Sequence, residues 1–146
     1  MIRGEYEETF SVTMKLVDQP QYGGFCLVER WRTKNGLLYR PGDLPSTTAY
    51  DPNTGRILQQ EWTQKNGKYG VRPGNKPSII ATHEKQPEMV WFGEDGSQKF
   101  IAEPTDIIRD PETNEIIEFV YEAPPSVCGP EKHDLPVPSL DIRYTI

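Results

Sequence analysis

The chain has 146 residues, enough for one domain with a buried core, and its 16 basic and 22 acidic side chains give a formal charge of −6. Leu, Ile, Val and Phe together account for 32 residues, a fraction only just above that of chains that do not fold alone. No apolar run is long enough to span a membrane, and the acidic N-terminus lacks the apolar stretch of a secretory signal. We therefore expect a cytoplasmic protein whose two cysteines stay reduced.

The charges are divided unevenly along the chain. Residues 31–80 hold eight basic and three acidic side chains, a balance of +5, whereas residues 101–134 hold nine acidic and two basic ones, a balance of −7. Both charge imbalances are explained if the two segments form ordinary solvent-exposed faces. Alternatively, the basic segment contacts an anionic partner, the acidic one mimics such a partner, or the two halves face each other in a homodimer.

A short pattern recurs at each tryptophan. Trp31, Trp62 and Trp91 each begin the sequence Trp-x-x-x-Asn/Asp-Gly, at intervals of 31 and 29 residues. Arg-Pro-Gly then follows the first two patterns, at residues 40–42 and 72–74. These recurrences indicate an internal repeat.

Longer segments repeat around these patterns. Two segments, residues 45–62 and 104–121, share Pro, Asp-Pro and Thr at equivalent positions. Residues 77–91 form a copy that is three residues shorter, and residues 12–31 form a divergent first copy. The sequence therefore predicts about four units of roughly 30 residues each.

Each unit has the features of short strands. The large side chains before Trp62 fall at alternating positions, which is the period of a strand and not of a helix. Asp51–Gly55 has the composition of a turn, Asn114 takes the place of Gly55 in the last unit, and each Asn-Gly or Asp-Gly pair indicates a two-residue hairpin. The 14 prolines and 12 glycines leave no room for a helix. We therefore predict an all-β fold, an antiparallel meander of repeated β-hairpins with about eight to ten strands in one elongated or curled sheet.

These features resemble those of a known family. The order of the motifs is similar to that in the MORN-like hairpin repeats of many bacterial and phage proteins, including antitoxins of the YwqK type. The motifs are, in succession, Trp, Asn-Gly, Arg-x-Gly-x-x-Pro, Asp-Pro-x-Thr-Gly and Glu-Trp. The likeness covers residues 25–121, and Tyr50-Asp51 with Thr54-Gly55 also resembles the YD repeats of Rhs shells. It implies a string of β-hairpins and an antitoxin-like role, and it brings no catalytic residues with it.

The last part of the chain changes character. Residues 123–139 contain five prolines and are predicted to form an irregular arm, whereas residues 140–146 alternate apolar and polar side chains as a strand does. We therefore divide the chain into a hairpin-repeat domain at 1–122 and an arm with a final strand at 123–146. That strand is expected to cover an exposed edge beside residues 6–17, or else to pair with a partner, for example in a homodimer.

Few residues suggest catalysis or a metal site. Cys128 and His133 supply at most half of a zinc site, so we expect no metal and no cofactor. The sequence has no glycine-rich phosphate loop. Glu61, Glu118 and Glu122 stand beside the terminal aromatic residue of a unit, so a small carboxylate-dependent hydrolase is one alternative function.

Two kinds of residue are predicted to be structural. The three tryptophans are expected to be core residues that stack against their counterparts in neighbouring units, although an exposed row that stacks on bases or sugar rings is the alternative. Cys26 is predicted to pack in a strand between Phe25 and Leu27.

The segments after the first two Asn-Gly pairs are the best candidates for a binding surface. Both are irregular and both end in Arg-Pro-Gly, so we expect Arg40 and Arg72 at one edge of the sheet. Arg and Tyr are also the side chains enriched at binding hot spots. The predicted partner-binding residues are therefore Tyr39, Arg40, Tyr69 and Arg72. Arginines that merely bridge to acids of neighbouring strands are the alternative.

The acidic segment offers a second candidate surface at Asp106, Asp110, Glu112 and Glu115. With no catalytic set in view, the sequence favours a non-enzymatic module that binds and inhibits a partner protein. It would act as an immunity or antitoxin-like protein, or as a phage anti-defence protein, in a bacterial or host cytoplasm. A nucleic-acid binder that uses the basic residues of 31–80 is the remaining alternative, although the net negative charge disfavours duplex binding.

Overall fold

The structure, a computed structural model, describes residues 9–122 and the backbone of residues 141–145. The described chain is all-β, as predicted, with ten strands, one 3₁₀ turn at Pro20–Tyr22 and no α-helix. The strands are β1 (Phe10–Gln19), β2 (Gly24–Thr33), β3 (Thr47–Tyr50), β4 (Ile57–Glu61), β5 (Ile79–Ala81), β6 (Glu88–Phe92), β7 (Gln98–Ala102), β8 (Asp106–Arg109), β9 (Ile116–Glu122) and β10 (Asp141–Thr145).

The strands form two antiparallel sheets. The first seven follow one another across a large sheet in the order β1-β2-β3-β4-β5-β6-β7, which is the predicted meander. The other three form a small sheet in the order β10-β9-β8. The expectation of one elongated or curled sheet is therefore wrong. Pro104 lies between β7 and β8, and because proline has no N–H to donate to a ladder, the chain leaves the large sheet there.

The C-terminal strand lies in the small sheet. β10 pairs antiparallel with β9, so the expectation that it would lie beside residues 6–17 is wrong. β8 occupies one side of β9, and the backbone groups on the other side of β9 need a partner, which β10 supplies. The Pro-rich segment 123–139, with Cys128 and His133, lies outside the described residues. The division into a repeat domain and an arm stays a prediction.

One core lies between the two sheets. Strands β5, β6 and β7 turn one face toward β9, and the most deeply buried large side chains of the described chain meet there. Trp91 is 1% exposed, so its predicted position in the core is confirmed. The cluster consists of Ile80, Met89, Trp91, Ala102, Phe119 and Tyr121, with Trp62, Phe100 and Ile116 packed against it.

A second core lies on the opposite face of the large sheet, across β2, β3 and β4. Tyr22, in the 3₁₀ turn, packs there against Cys26, Val28, Ala49 and Leu58. Burial raises the pKa of Tyr22 to about 12 and also raises the pKa of the Cys26 thiol. The prediction that Cys26 packs within a strand is confirmed.

Two turns, Asp51–Gly55 and Asp110–Asn114, share one construction. In each, the carboxylate of the first Asp accepts the N–H of the residue two positions later, at 2.8 and 2.7 Å. The fifth residue is left-handed in both, with φ of +76° at Gly55 and +64° at Asn114, and its N–H donates to the carbonyl of the first Asp. Asn114 therefore does take the place of Gly55, because Asn tolerates this conformation better than other side chains.

The Asn-Gly and Asp-Gly hairpins differ from the expected two-residue turns. A type I′ turn needs positive φ at both central residues, but only the glycines Gly36, Gly67 and Gly96 have it. In the first hairpin, the N–H of Gly36 donates to the carbonyl of Thr33 at 2.9 Å, and the N–H of Thr33 donates to the carbonyl of Leu37 at 2.8 Å. The other two repeat this pattern. Each hairpin therefore has a three-residue loop, a type I turn that ends in a left-handed glycine.

Because Trp91 fills the core between the sheets, Trp91→Ala should leave a cavity that its neighbours cannot refill. We expect this substitution to lower the free energy of unfolding by about 3–5 kcal/mol in urea titrations followed by circular dichroism. Ile107→Ala, at an exposed position of β8, is the control and should cost less than about 1 kcal/mol. Equal losses for the two variants would contradict the assignment of the core.

Candidate functional site

Two long loops leave the large sheet at the same end of its strands. The first loop, residues 34–46, joins β2 to β3, and the second loop, residues 62–78, joins β4 to β5. In an antiparallel meander every second connection lies at the same end, so the two loops are neighbours. The prediction that Arg40 and Arg72 lie at one edge of the sheet is therefore confirmed.

The two loops share an uncommon backbone conformation. After each Arg-Pro-Gly, two consecutive residues are left-handed: Gly42 and Asp43 have φ of +79° and +55°, and Gly74 and Asn75 have +78° and +54°. Only Gly, Asn and Asp adopt this conformation readily, which explains the residue types at these positions.

This backbone turns a carbonyl of each loop toward the next tryptophan along the chain. The indole N–H of Trp62 donates to the carbonyl of Asp43 at 3.0 Å, and the indole N–H of Trp91 donates to the carbonyl of Asn75 at 2.9 Å. Both indoles are therefore hydrogen-bonded by the left-handed residue that follows an Arg-Pro-Gly.

The loop arginines cover the tryptophans that precede them. The Cζ atom of Arg40 lies 4.1 Å from the ring centroid of Trp31, and that of Arg72 lies 3.6 Å from the ring centroid of Trp62. A guanidinium over an indole face is stabilised by the ring's electron density. Trp31 and Trp62 are half-buried, so their predicted core positions hold only in part. Each has an apolar neighbour, Phe10 for Trp31 and the core between the sheets for Trp62, and an arginine over its ring.

An ion pair joins the second loop to the first. The Asp43 carboxylate accepts hydrogen bonds from Nε and Nη2 of Arg72 at 2.9 and 3.3 Å and from Nζ of Lys76 at 3.1 Å. The Arg72 hydrogen bonds, with Lys76 beside them, lower the pKa of Asp43 below its ordinary value of 3.8. Nη1 of Arg72 also donates to the carbonyl of Pro77 at 2.9 Å, and the side chain is only 11% exposed. Arg72 therefore forms an ion pair with an acid, which is the alternative to partner binding that the sequence left open.

Arg40 is held much less tightly. Its Nη1 lies 3.7 Å from Oε2 of Glu29, and the side chain is 24% exposed. The Glu29 carboxylate already accepts the indole N–H of Trp31 at 2.6 Å and the hydroxyl of Tyr50 at 3.1 Å. Arg72 and Arg40 differ because Arg72 receives the carboxylate of Asp43 from the preceding Arg-Pro-Gly loop, whereas the sequence contains no Arg-Pro-Gly before the one that includes Arg40.

A cleft of about 280 Å³ lies between the two loops. Of the eight predicted partner-binding residues, it brings together three of the four that belong to the loops, namely Tyr39, Arg40 and Arg72. Leu44, which is 47% exposed, and the partly exposed Trp62 add apolar surface to the lining. The main lining side chains are Tyr39, Arg40, Leu44, Trp62, Arg72 and Pro73.

Tyr69 does not line this cleft. Its ring stacks on Phe92 with 4.5 Å between centroids, and its hydroxyl donates to Oε1 of Glu61 at 2.5 Å. Burial and the neighbouring Glu61 carboxylate raise the pKa of Tyr69. Its geometry is that of a packing residue of the second loop, and its predicted role in partner binding stays untested.

The four acidic candidates do not form one cluster. Asp106 begins β8, whereas Asp110, Glu112 and Glu115 lie in or next to the turn at the other end of that strand, about 13 Å away at the usual rise per residue. The Asp110 carboxylate is occupied by the backbone N–H groups of Glu112 and Thr113, which lower its pKa. These residues are therefore a weaker candidate surface than the cleft.

The turn after β8 lies at the other end of the large sheet from the cleft. Glu115 borders a second cleft of about 700 Å³ together with Asp51 and Arg56 of the β3–β4 turn. Glu84 and Arg109 also line it, with 3.8 Å between Glu84 Oε2 and Arg109 Nη2. Acids and bases alternate there, so this cleft has no strong charge of one sign.

Of the three carboxylates proposed for a hydrolase, Glu61 lies in the large sheet, whereas Glu118 and Glu122 lie in the small one. Glu61 is opposite Thr47 and Ile79 in the large sheet, on the face away from the core that contains Ile80. Glu118 neighbours Phe119, which points into that core, so Glu118 is on the outer face of the small sheet. Because packed sheets are about 10 Å apart, this pair cannot flank one scissile bond.

Within residues 9–122, no group of three or more His, Cys, Asp or Glu side chains is placed to bind a metal ion. No helix of the described chain is long and apolar enough to cross a membrane. No protein-family model, curated protein or solved structure matches this chain. The resemblance to MORN-like repeats therefore stays a prediction.

Asp43 and Leu44 are cleft residues that the sequence did not predict. Asp43 connects the loops and Leu44 forms part of the rim, and neither stood out in the sequence. A signal was present: the residue after each Arg-Pro-Gly is Asp43 or Asn75, the two residue types most tolerant of left-handed backbone.

Asp43→Asn tests the link between the loops. The chain itself has Asn75 at the equivalent position, so the backbone and the Trp62 hydrogen bond should be kept while the charge is lost. Because the folded pKa of Asp43 is lowered, its ion pairs stabilise the fold at pH values above 3.8 and are lost as the pH falls through the folded pKa.

At pH 7 we expect Asp43→Asn to reduce the free energy of unfolding by on the order of 1 kcal/mol, since the pair is partly exposed. Chemical unfolding at a series of pH values should show this difference shrinking toward pH 2. A difference that is constant across that range would mean that the ion pairs do not contribute.

Proposed function

We propose that the chain is a non-enzymatic module that binds and inhibits a partner protein, and that it contacts this partner through the cleft between the two loops. The observation that supports this most is that Tyr39, Arg40 and Trp62 line one cleft. Arg40 lies over the ring of Trp31, and the indole of Trp62 is hydrogen-bonded to the carbonyl of Asp43. Arg, Tyr and Trp are the residues most enriched at binding hot spots. Trp62, which is held by the Asp43 carbonyl and by Arg72, is already ordered and loses little conformational entropy on binding.

The charge around the cleft indicates the chemistry of the partner. Lys34 belongs to the first loop, and Lys65 and Lys68 to the second, and all three are exposed at the same end of the sheet as Arg40. The partner surface is therefore acidic, and it carries an apolar side chain that covers Leu44. This complementarity raises the rate of encounter as well as the selectivity of binding.

We further propose that the chain consists of about four MORN-like hairpin units of roughly 30 residues. The equivalent contacts of Arg40 with Trp31 and of Arg72 with Trp62 support this for two units. The matching turns that end in Gly55 and Asn114 support the equivalence of residues 45–62 and 104–121. The role that this resemblance implies is that of an antitoxin-like or phage anti-defence protein in a bacterial or host cytoplasm.

Two observations favour this function over the alternatives. The separation of Glu61 from Glu118 in different layers argues against a carboxylate-dependent hydrolase. Among the basic residues of 31–80, Arg72 and Lys76 are engaged by Asp43, which reduces the positive charge available to a nucleic acid.

Two pairs of variants test the cleft. Leu44→Asp and Arg40→Gln change its lining, and Ile117→Asp and Arg56→Gln make the same changes at exposed sites away from it. In pull-downs from a lysate of the encoding organism, quantified by mass spectrometry, the two cleft variants should capture the principal partner at least about tenfold less. The control variants should stay within about twofold of the unchanged chain. Equal capture by all five proteins would refute the cleft as the binding site.

Binding to nucleic acid should be absent at physiological salt. Most affinity for nucleic acid comes from neutralised phosphates, and the chain carries a formal charge of −6. Fluorescence anisotropy with labelled single-stranded and duplex DNA measures this directly. Micromolar binding that weakens steeply with added salt would favour nucleic-acid binding as the function over protein binding.

A further inference from the structure

The first strand of the large sheet has an open edge. β1 is ten residues long and stands at the end of the strand order, and among the described residues no strand pairs with its outer side. Its pairing with β2 has no bulge, and it contains no proline. Natural edge strands are protected by such features or by charged side chains, and β1 has only Lys15 and Asp18 of the latter over its ten residues.

The hydrogen bonds of β2 identify which groups of β1 face outward. The N–H of Trp31 donates to the carbonyl of Ser46 and its carbonyl accepts from Tyr39, so the backbone groups of Trp31 face away from β1. Val12 is opposite Trp31. Since the direction of backbone groups alternates along a strand, the even-numbered residues of β1 present their N–H and C=O groups at the open edge.

The same residues carry an exposed apolar stripe. Val12, Met14 and Leu16 are 48%, 51% and 59% exposed, and all three lie on one face of the sheet because they are two residues apart. Phe25 of β2, which is 58% exposed and opposite Asp18, extends this stripe on the same face. The unpaired backbone and the uncovered apolar surface therefore occur at the same place.

We propose that two copies of this chain form a homodimer through β1, paired antiparallel about a two-fold axis at Met14. Met14 is then opposite its own copy and Val12 is opposite Leu16, so the two apolar stripes join into one surface. All these residues present their backbone groups at the edge, and each such pair exchanges two hydrogen bonds. The large sheet becomes a continuous sheet of fourteen strands, twice the seven of one copy.

This register is self-complementary in charge as well as in shape. Lys15 is opposite Thr13, and Asp18 is opposite Phe10, so no like charges meet. A two-fold axis at Leu16 would bring Pro20, which lacks an N–H, opposite Val12, and an axis at Val12 would shorten the paired segment. Of the two-fold axes through an outward-facing residue, the axis at Met14 therefore pairs the longest part of β1.

The contact between two β1 strands is small. A single strand pair with one apolar stripe buries an area at the lower end of specific interfaces, below about 1,200 Å² in total, so we expect a dissociation constant on the order of 1–100 µM. The contact is at the far side of the sheet from β7 and does not use the cleft residues, so it is independent of the proposed function.

Cysteine cross-linking tests the register. Opposed residues of a hydrogen-bonded pair have Cα atoms about 5.5 Å apart, which suits a disulfide. In a Cys128→Ser background, Met14→Cys should form a covalent dimer on mild oxidation. Ser11→Cys, on the same strand but six residues out of register with its own copy, should not. Val12→Cys and Leu16→Cys should cross-link only when the two proteins are mixed. Equal cross-linking at positions 11 and 14 would overturn the proposal.

Charge substitutions test the dimer itself. Met14→Lys places two ammonium groups together at the axis, whereas Ser11→Lys adds the same charge at an exposed position on the other face. Sedimentation over a concentration series should give the unchanged chain and Ser11→Lys similar dissociation constants for the dimer, whereas that of Met14→Lys should be at least about tenfold higher. An unchanged chain that stays monomeric at about 1 mM, or a dissociation constant that Met14→Lys leaves unchanged, would refute pairing through β1.

Discussion

The contact of each Arg-Pro-Gly loop with two successive tryptophans fixes the geometry of one whole end of this molecule. Arg72 covers Trp62 from the loop that follows it, and the carbonyl of Asn75 in the same loop holds the indole of Trp91. Loops of this length would otherwise lack a core of their own. Because each indole offers a flat face to a cation and an N–H to a carbonyl, one aromatic side chain can anchor two neighbouring segments. A chain with few aliphatic residues thereby gains ordered loops.

At the β1 side of the large sheet, a loop arginine and a strand each lack a partner that their counterparts have within the described chain. Arg72 receives the Asp43 carboxylate from the loop before it, but no such loop precedes Arg40, which keeps only a distant contact with Glu29. β1 likewise has a neighbour on one side alone within the described chain. The proposed partner cleft and the proposed dimer edge both arise from that asymmetry.

Local backbone chemistry was the part that the sequence could predict. The turn at Asp51–Gly55 and its counterpart at Asn114 follow from residue type alone, and so does the alternation that yields an all-β chain. The partition into two sheets and the pairing of β10 with β9 were not predictable, because they depend on burial between residues far apart in sequence. At the cleft, Arg40 was placed correctly, but the role of Asp43 depends on a residue 29 positions away.

The most direct test of this account is hydrogen exchange at the indole nitrogens, followed by NMR in deuterated water. The indole N–H groups of Trp62 and Trp91 donate to backbone carbonyls of the loops, whereas that of Trp31 donates to the Glu29 side chain. If the loops are held in place by these contacts, the first two should exchange at least about a hundredfold more slowly than free tryptophan, and more slowly than Trp31. Exchange of Trp62 and Trp91 at the rate of free tryptophan would show that the loops are not anchored there.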